Sequence, residues 1–249
     1  MRITLTTLLI LFTTSLWAKQ NQIAIIIDDI GYRQSDVAAL DLPGKITYAI
    51  LPQTPFGKIL AEKAYASNRE VMLHIPMEAD NGKSLGPGAL TSSMSEQSIR
   101  TSLAKSFAEI PFAVGINNHM GSKLTKMYKP MAWTMRYLKE HNRLFVDSLT
   151  TRNSKAQKIA KYFGVPSLHR HLFLDNELTP QYISEQFEIL MDFAKRYNSI
   201  VAIAHPHPET IAALTKLLPL LAANNIELVP ISKLLPQKKQ LAFETQTTD

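Results

Sequence analysis

Ile23-Ala24-Ile25-Ile26-Ile27-Asp28-Asp29-Ile30-Gly31 is the stretch on which the reading of the chain turns. Five consecutive apolar residues, four of them β-branched, fit a strand buried on both faces, as central strands of parallel sheets are. Two adjacent carboxylates stand where that strand ends. A single Asp after a strand is as often a turn former or a helix cap as a functional group. A desolvated pair is harder to dismiss, because like charges repel unless a cation relieves them.

Working outward, the same pattern recurs. Strands are expected at 46–51, 71–75, 112–116, 144–146, 172–174, 200–204 and 226–229. Helical patterns lie between them at 35–40, 55–67, 95–109, 130–141, 155–163, 180–197 and 209–223. Steady β–α alternation means parallel strands with crossover helices. In a chain of 249 residues it predicts an α/β fold, a distorted (β/α) barrel of seven or eight parallel strands, with a doubly wound open sheet as the alternative.

The rest of the chain narrows the chemistry. Hydrophobic residues make up 45% and charged residues 19%, which excludes disorder as the main state. There is no cysteine, so thiolate metal sites, disulfides and a cysteine nucleophile are excluded, and any metal must be held by His, Asp or Glu. The net charge of +6 is scattered rather than gathered into a basic stripe with aromatics, so no nucleic-acid partner is expected. Arg2, the apolar and hydroxylic run 3–17 and Ala18 read as a secretory signal. Leu16 is large for the position three before the cut, which leaves an uncleaved membrane tether as the alternative. The expectation is an exported, periplasmic or extracytoplasmic protein with one domain over 22–235 and a loose tail over 236–249.

Position then becomes informative. Asp28 and Asp29 end the first strand, His74 lies near the end of the third, and Asn118 and His119 follow the fourth. Asp147 ends the fifth, Asp175 the sixth, and His205 the seventh, with His207 just beyond. The C-terminal ends of parallel strands converge on one mouth. Carboxylates and imidazoles gathered there suit Zn²⁺ or a similar divalent metal. His141, His169 and His171 read as structural or surface residues. The loop 81–88 is expected to act as a lid or groove wall.

Six motifs in order carry a family resemblance: Ile-Ile-Ile-Asp-Asp-Ile-Gly (25–31), Leu-His-Ile-Pro-Met-Glu (73–78), Gly-Ile-Asn-Asn-His-Met-Gly-Ser (115–122), Phe-Val-Asp-Ser (145–148), Phe-Leu-Asp-Asn (173–176) and Ala-His-Pro-His (204–207). Over about 22–235 the chain resembles the divergent polysaccharide deacetylases, distant members of the NodB-like superfamily. The resemblance implies a divalent metal and hydrolysis of the N-acetyl amide of a polysaccharide or peptidoglycan-like glycan. It implies Asp28 as base and Asp29 as metal ligand, and it makes His205, in Ile203-Ala204-His205, the acid. Mainstream members take two histidines from one His-x-x-x-His motif. Here His74 is followed by Met77 and Glu78, so the second imidazole must come from another strand, and His119 is the best candidate. Asn118, Asp147, Asp175 and His207 are expected to support these groups or touch the sugar. The departure from His-x-x-x-His keeps a second reading open, a catalytically inactive glycan-binding or cell-envelope partner on the same barrel.

Overall fold

The computed structural model describes residues 21–235; the expected signal at 1–18 and the tail at 236–249 lie outside the described residues. In chain order the strands are β1 (Asn21–Ile30), β2 (Thr47–Ile50), β3 (Glu70–Met77), β4 (Gly115–Met120), β5 (Leu144–Asp147), β6 (Ser167–His169), β7 (Leu172–Phe173), β8 (Ser199–Ala204) and β9 (Ile226–Leu228). The α-helices are α1 (Gly57–Ala66), α2 (Glu96–Glu109), α3 (Tyr128–Glu140), α4 (Ala156–Tyr162), α5 (Pro180–Tyr197), α6 (Pro208–Leu217) and α7 (Pro219–Ala223). All described strand pairs are parallel, in the order β6-β5-β4-β3-β2-β1-β8-β7, with β9 beside the start of β1.

β1 sits at the centre because its residues can be buried on both sides. Ala24 and Ile26 join Ala49, Met72, Val146, Val201 and Ile203 in an inner cluster. Ile23, Ile25 and Ile27 join helix residues such as Leu60, Leu103 and Phe187 in the outer layer. The expected α/β barrel is therefore present, and its distortion has a definite location. β6 pairs with β5 and β7 pairs with β8, yet only Arg170 and His171 separate β6 from β7. The Arg170 N–H donates to Asp147 O at 2.9 Å, and the His171 N–H donates to Val201 O at 2.8 Å. One interrupted strand thus serves both edges of the sheet in succession.

Four sequence expectations need correction. β6 was not expected, because Ser167-Leu168-His169 is too short and polar to read as a strand. His169 accordingly lies in a strand opposite Asp147, not before one, and its ring stacks on His171 at 4.7 Å. β4 begins at Gly115 rather than 112, so Asn117, Asn118 and His119 are inside the strand. Gly115 marks where the backbone meets β5, since a Cβ there would lie 2.1 Å from Leu144 O. The helix expected over 209–223 is two helices, because Pro219 lacks the N–H to continue the first.

Left-handed backbone divides by end of the barrel. Asn68, Asn142, Asn198 and Asn225 follow helices, and Asn tolerates this region well. At the mouth the same conformation falls on Asp29, Gln53, Met120 and Leu149, and neither Met nor Leu adopts it without cost. Hydrogen bonds hold the two costly turns. Met120 O accepts from Asn118 Nδ2 and Thr150 Oγ1, and the Leu149 N–H donates to Asp147 Oδ1.

Candidate metal and catalytic site

Adjacent side chains on a regular strand point to opposite faces, so Asp28 and Asp29 need a device to share one site. The register supplies it. Ile27 pairs with Tyr48 and Ile30 with Ile50, which leaves one extra residue in β1. This bulge, with Asp29 at φ 59°, turns the second carboxylate back over the mouth. Gly31 (φ 135°) follows, and a Cβ there would lie 2.3 Å from Thr54 Oγ1.

Asp29 meets two histidines from neighbouring strands. Its Oδ1 lies 2.7 Å from His119 Nδ1 and 3.1 Å from His74 Nε2, and the two ring nitrogens are 3.2 Å apart. Asp29 Oδ1 is buried and receives no well-directed hydrogen bond despite these short approaches. The two ring nitrogens meet the geometry of a hydrogen bond, while the buried carboxylate oxygen beside them is left without one. Ligand atoms around a tetrahedral zinc with bonds of about 2.0 Å stand roughly 3.3 Å apart, so this triangle is the right size for a small divalent ion. Among the described residues Asp29, His74 and His119 are the group able to hold one. β3 and β4 pair with Pro76 opposite His119, which places the second imidazole where another strand, not the same loop, delivers it. Glu78 is turned elsewhere: it bonds Lys123 Nζ at 2.6 Å and accepts from the Ser92 N–H at 2.6 Å.

Behind the trio stands Asp28, 2% exposed, with Oδ2 3.6 Å from His74 Nε2. Asn117, not singled out from sequence, connects the two: Nδ2 donates to Asp28 Oδ1 at 2.7 Å, and Oδ1 lies 2.7 Å from His74 Nδ1. Burial pushes the Asp28 carboxyl above the usual carboxylate range, against the pull of His74, His205 and the Asn117 amide. Burial works the same way on Asp29, but His119 and His74 overcome it and hold that carboxyl well below its ordinary value. Burial opposes charge on His74, yet Asp28 and Asp29 draw the ring above the usual imidazole range. The site calls for positive charge at His74 Nε2.

His205 follows β8 across the mouth. Asp175 grips it twice, at Nδ1 (3.0 Å) and at the backbone N–H (2.6 Å), and accepts from Thr210 Oγ1 at 3.0 Å. Burial disfavours the charged ring, but the Asp175 hydrogen bond and charge prevail and push its pKa up to about 9. His205 and His207 line a cavity of about 180 Å³ together with Asp29, His119, Tyr32 and Arg33. The loop 81–88 stands behind this wall, where a Cβ on Gly86 would touch Tyr32 Oη.

Two expected residues sit elsewhere. Asn118 is buried with its amide committed to Met120 O and the Ser148 N–H, so it braces the ends of β4 and β5. Asp147 accepts from the Leu149 N–H and from Ser154 Oγ, so it shapes a turn and holds no histidine. Arg170 was also missed. Its guanidinium lies 3.8 Å over Phe173 and donates to Ser148 O and Leu149 O, clamping that turn to the barrel seam. Its only sequence signal was a cation between two histidines.

The match to the model of divergent polysaccharide deacetylases spans residues 25–235. The chain belongs to this family. A relative in Escherichia coli (strain K12), the uncharacterized protein YibQ, is 38% identical over 197 residues, which is 79% of this chain. The match covers 62% of that relative's own length. An uncharacterized protein of Agrobacterium tumefaciens C58, solved by crystallography, is 26% identical with a TM-score of 0.83, covering 88% of this chain and 90% of its own. More distant structures share the fold. The catalytic domain of a peptidoglycan N-acetylglucosamine deacetylase from Eubacterium rectale aligns at TM-score 0.56 and 15% identity, over 85% of this chain and 89% of that one. A CE4 family pseudoenzyme from Bacillus anthracis aligns at 0.52 and 14%, over 86% and 65%. The family's barrel therefore occurs in proteins described both as deacetylases and as pseudoenzymes.

Proposed function

We propose that this protein is a metal-dependent deacetylase that hydrolyses the N-acetyl amide of a cell-envelope or environmental polysaccharide. The observation that carries the reading is the triangle of Asp29 Oδ1, His74 Nε2 and His119 Nδ1 in one mouth with Asp28 and His205. These residues fit a divalent metal by donor type, by spacing and by the buried Asp29 oxygen that lacks a directed hydrogen bond. Zinc suits nitrogen and carboxylate donors in a cysteine-free site. A bound ion would polarise the amide carbonyl and bring the pKa of water toward about 7.

The chain's own residues divide the proton work. Asp28, made more basic by burial, takes the proton of the attacking water. As the C–N bond breaks, the leaving amine needs a proton. His205 has its Nδ1 bound to Asp175, which leaves Nε2 to deliver one. The C–N bond is replaced by a C–O bond to acetate, and the proton on Asp28 returns to solvent as His205 is reloaded. Tyr32, Arg33 and His207 form the wall against which the sugar would lie.

The inactive glycan-binding reading draws on the lost His-x-x-x-His motif, with Glu78 engaged by Lys123. His119 answers that loss by supplying an imidazole from β4. The test is acetate release from chitooligosaccharides and peptidoglycan fragments by metal-analysed protein. Release that chelation abolishes supports the deacetylase. Glycan binding without acetate, unchanged by chelation and by Asp28→Ala, would support the binder. The proposal places the protein outside the cytoplasm through residues 1–18, as a cleaved signal or a tether, and cell fractionation with mass analysis of the mature N-terminus tests that.

A further inference from the structure

Asn117 is fully buried inside β4, and its amide spans the two halves of the site. One end lies 2.7 Å from Asp28 Oδ1 and the other 2.7 Å from His74 Nδ1. Ser148 Oγ, at 3.4 Å, is its one other hydrogen-bond partner among the described residues. An amide has a donor end and an acceptor end, so its neighbours decide its orientation. An ionised Asp28 only accepts, so the NH₂ faces it. The carbonyl then faces His74 and can only accept, so His74 Nδ1 must carry a proton. A neutral ring protonated there has its lone pair on Nε2, the atom that meets Asp29 Oδ1 and His119 Nδ1.

We propose that Asn117 is a positioning residue that aligns the base Asp28 and fixes the ligand tautomer of His74 through a single amide. Nothing in the motif announces this, because Asn117 and Asn118 look interchangeable in sequence. Their bonds are not: Asn118 holds backbone, while Asn117 holds the two groups that do chemistry. The consequence for turnover rests on the deacetylase reading; the tautomer does not.

Two substitutions separate the roles. Asn117→Leu keeps the branched heavy-atom skeleton, at a larger volume, and removes both bonds. Asn117→Asp keeps an acceptor for His74 Nδ1 but sets a carboxylate against Asp28. Long-range proton–nitrogen NMR of the wild type, with and without Zn²⁺, should find the His74 proton on Nδ1 and slow to exchange. A neutral ring protonated on Nε2 would overturn the proposal, whatever the protein does to glycans. Zn²⁺ affinity should fall about 10–100-fold in Asn117→Leu, the usual loss when a supporting partner of a ligand is removed. Asn117→Asp should recover most of that affinity while acetate release stays low. Parallel loss of affinity and turnover in both variants, tracking a lowered melting temperature, would reduce Asn117 to packing. Wild type with the Nδ1 proton but without affinity for Zn²⁺ would count against the metal reading and leave the tautomer assignment standing.

Discussion

His74 and His205 stand at the same mouth, and each is held at Nδ1 by a single side-chain oxygen, at 2.7 and 3.0 Å. The oxygen differs in kind. At His74 it is the carbonyl of Asn117, which carries no charge. At His205 it is the carboxylate of Asp175, which stabilises an imidazolium. Burial argues against charge on both rings. Asp175 overrides it at His205, pushing that pKa up to about 9. At His74 the carboxylates face the other nitrogen, where a cation held by the trio would satisfy them as a proton would. In the proposed function the partner behind each ring fits the buried His74 as a ligand through Nε2 and the half-buried His205 as an acid.

The largest effects belong to the ligand side of the mouth. Asp29→Ala and His74→Ala should each bring bound zinc close to none and acetate release to background, measured by elemental analysis of purified protein and by product assay. Retention of a full complement of metal in Asp29→Ala would remove the ligand half of the contrast. His205→Ala should do the opposite. Its metal content stays at the wild-type value while turnover drops about 10²–10⁴-fold, the usual worth of a positioned acid.

Asp175→Asn sharpens the acid side. The folded-state pKa of His205, about 9, lies above the value near 6.5 of an unfolded histidine. Its contribution to stability is therefore complete below pH ~6.5 and is lost as pH rises through about 9. In the variant the alkaline limb of the rate profile should move down toward pH ~6.5. The melting-temperature gap from wild type should be largest below pH ~6.5 and narrow above pH ~9. An alkaline limb that stays in place would mean that another group supplies the proton. The smallest effect belongs to Glu78→Ala. The pair with Lys123 is partly exposed, so removal should cost no more than ~1 kcal/mol in chemical denaturation and leave metal affinity unchanged.

Much of this was legible from residue order. The apolar run of β1, the aspartate pair and Asp175 and His205 at successive strand ends all stood out, because buried parallel strands advertise themselves and their ends converge. What stayed hidden depends on register and direction. A period of two would send Asp28 and Asp29 to opposite faces, and only the bulge opposite Tyr48 and Ile50 brings them together. Asn117 looked like part of a turn because Phe112 and Ala113 resembled the start of β4; the strand starts at Gly115 instead, where β5 comes too close for a side chain. β6 was silent because a half-buried seam strand of three residues needs no apolar run. Asp147 shared the strand-end position of Asp175, and no pattern in sequence distinguishes a carboxylate that shapes a turn from one that holds a histidine.

In the proposed function Asp29, His74 and His119 hold a metal on which deacetylation depends. Acetate release from N-acetylated glycan, titrated against zinc added to metal-free protein, tests it most directly. Release should rise in step with occupancy and stop at a single bound ion per chain. Full release without metal, or full occupancy with no acetate from any glycan tried, would contradict it.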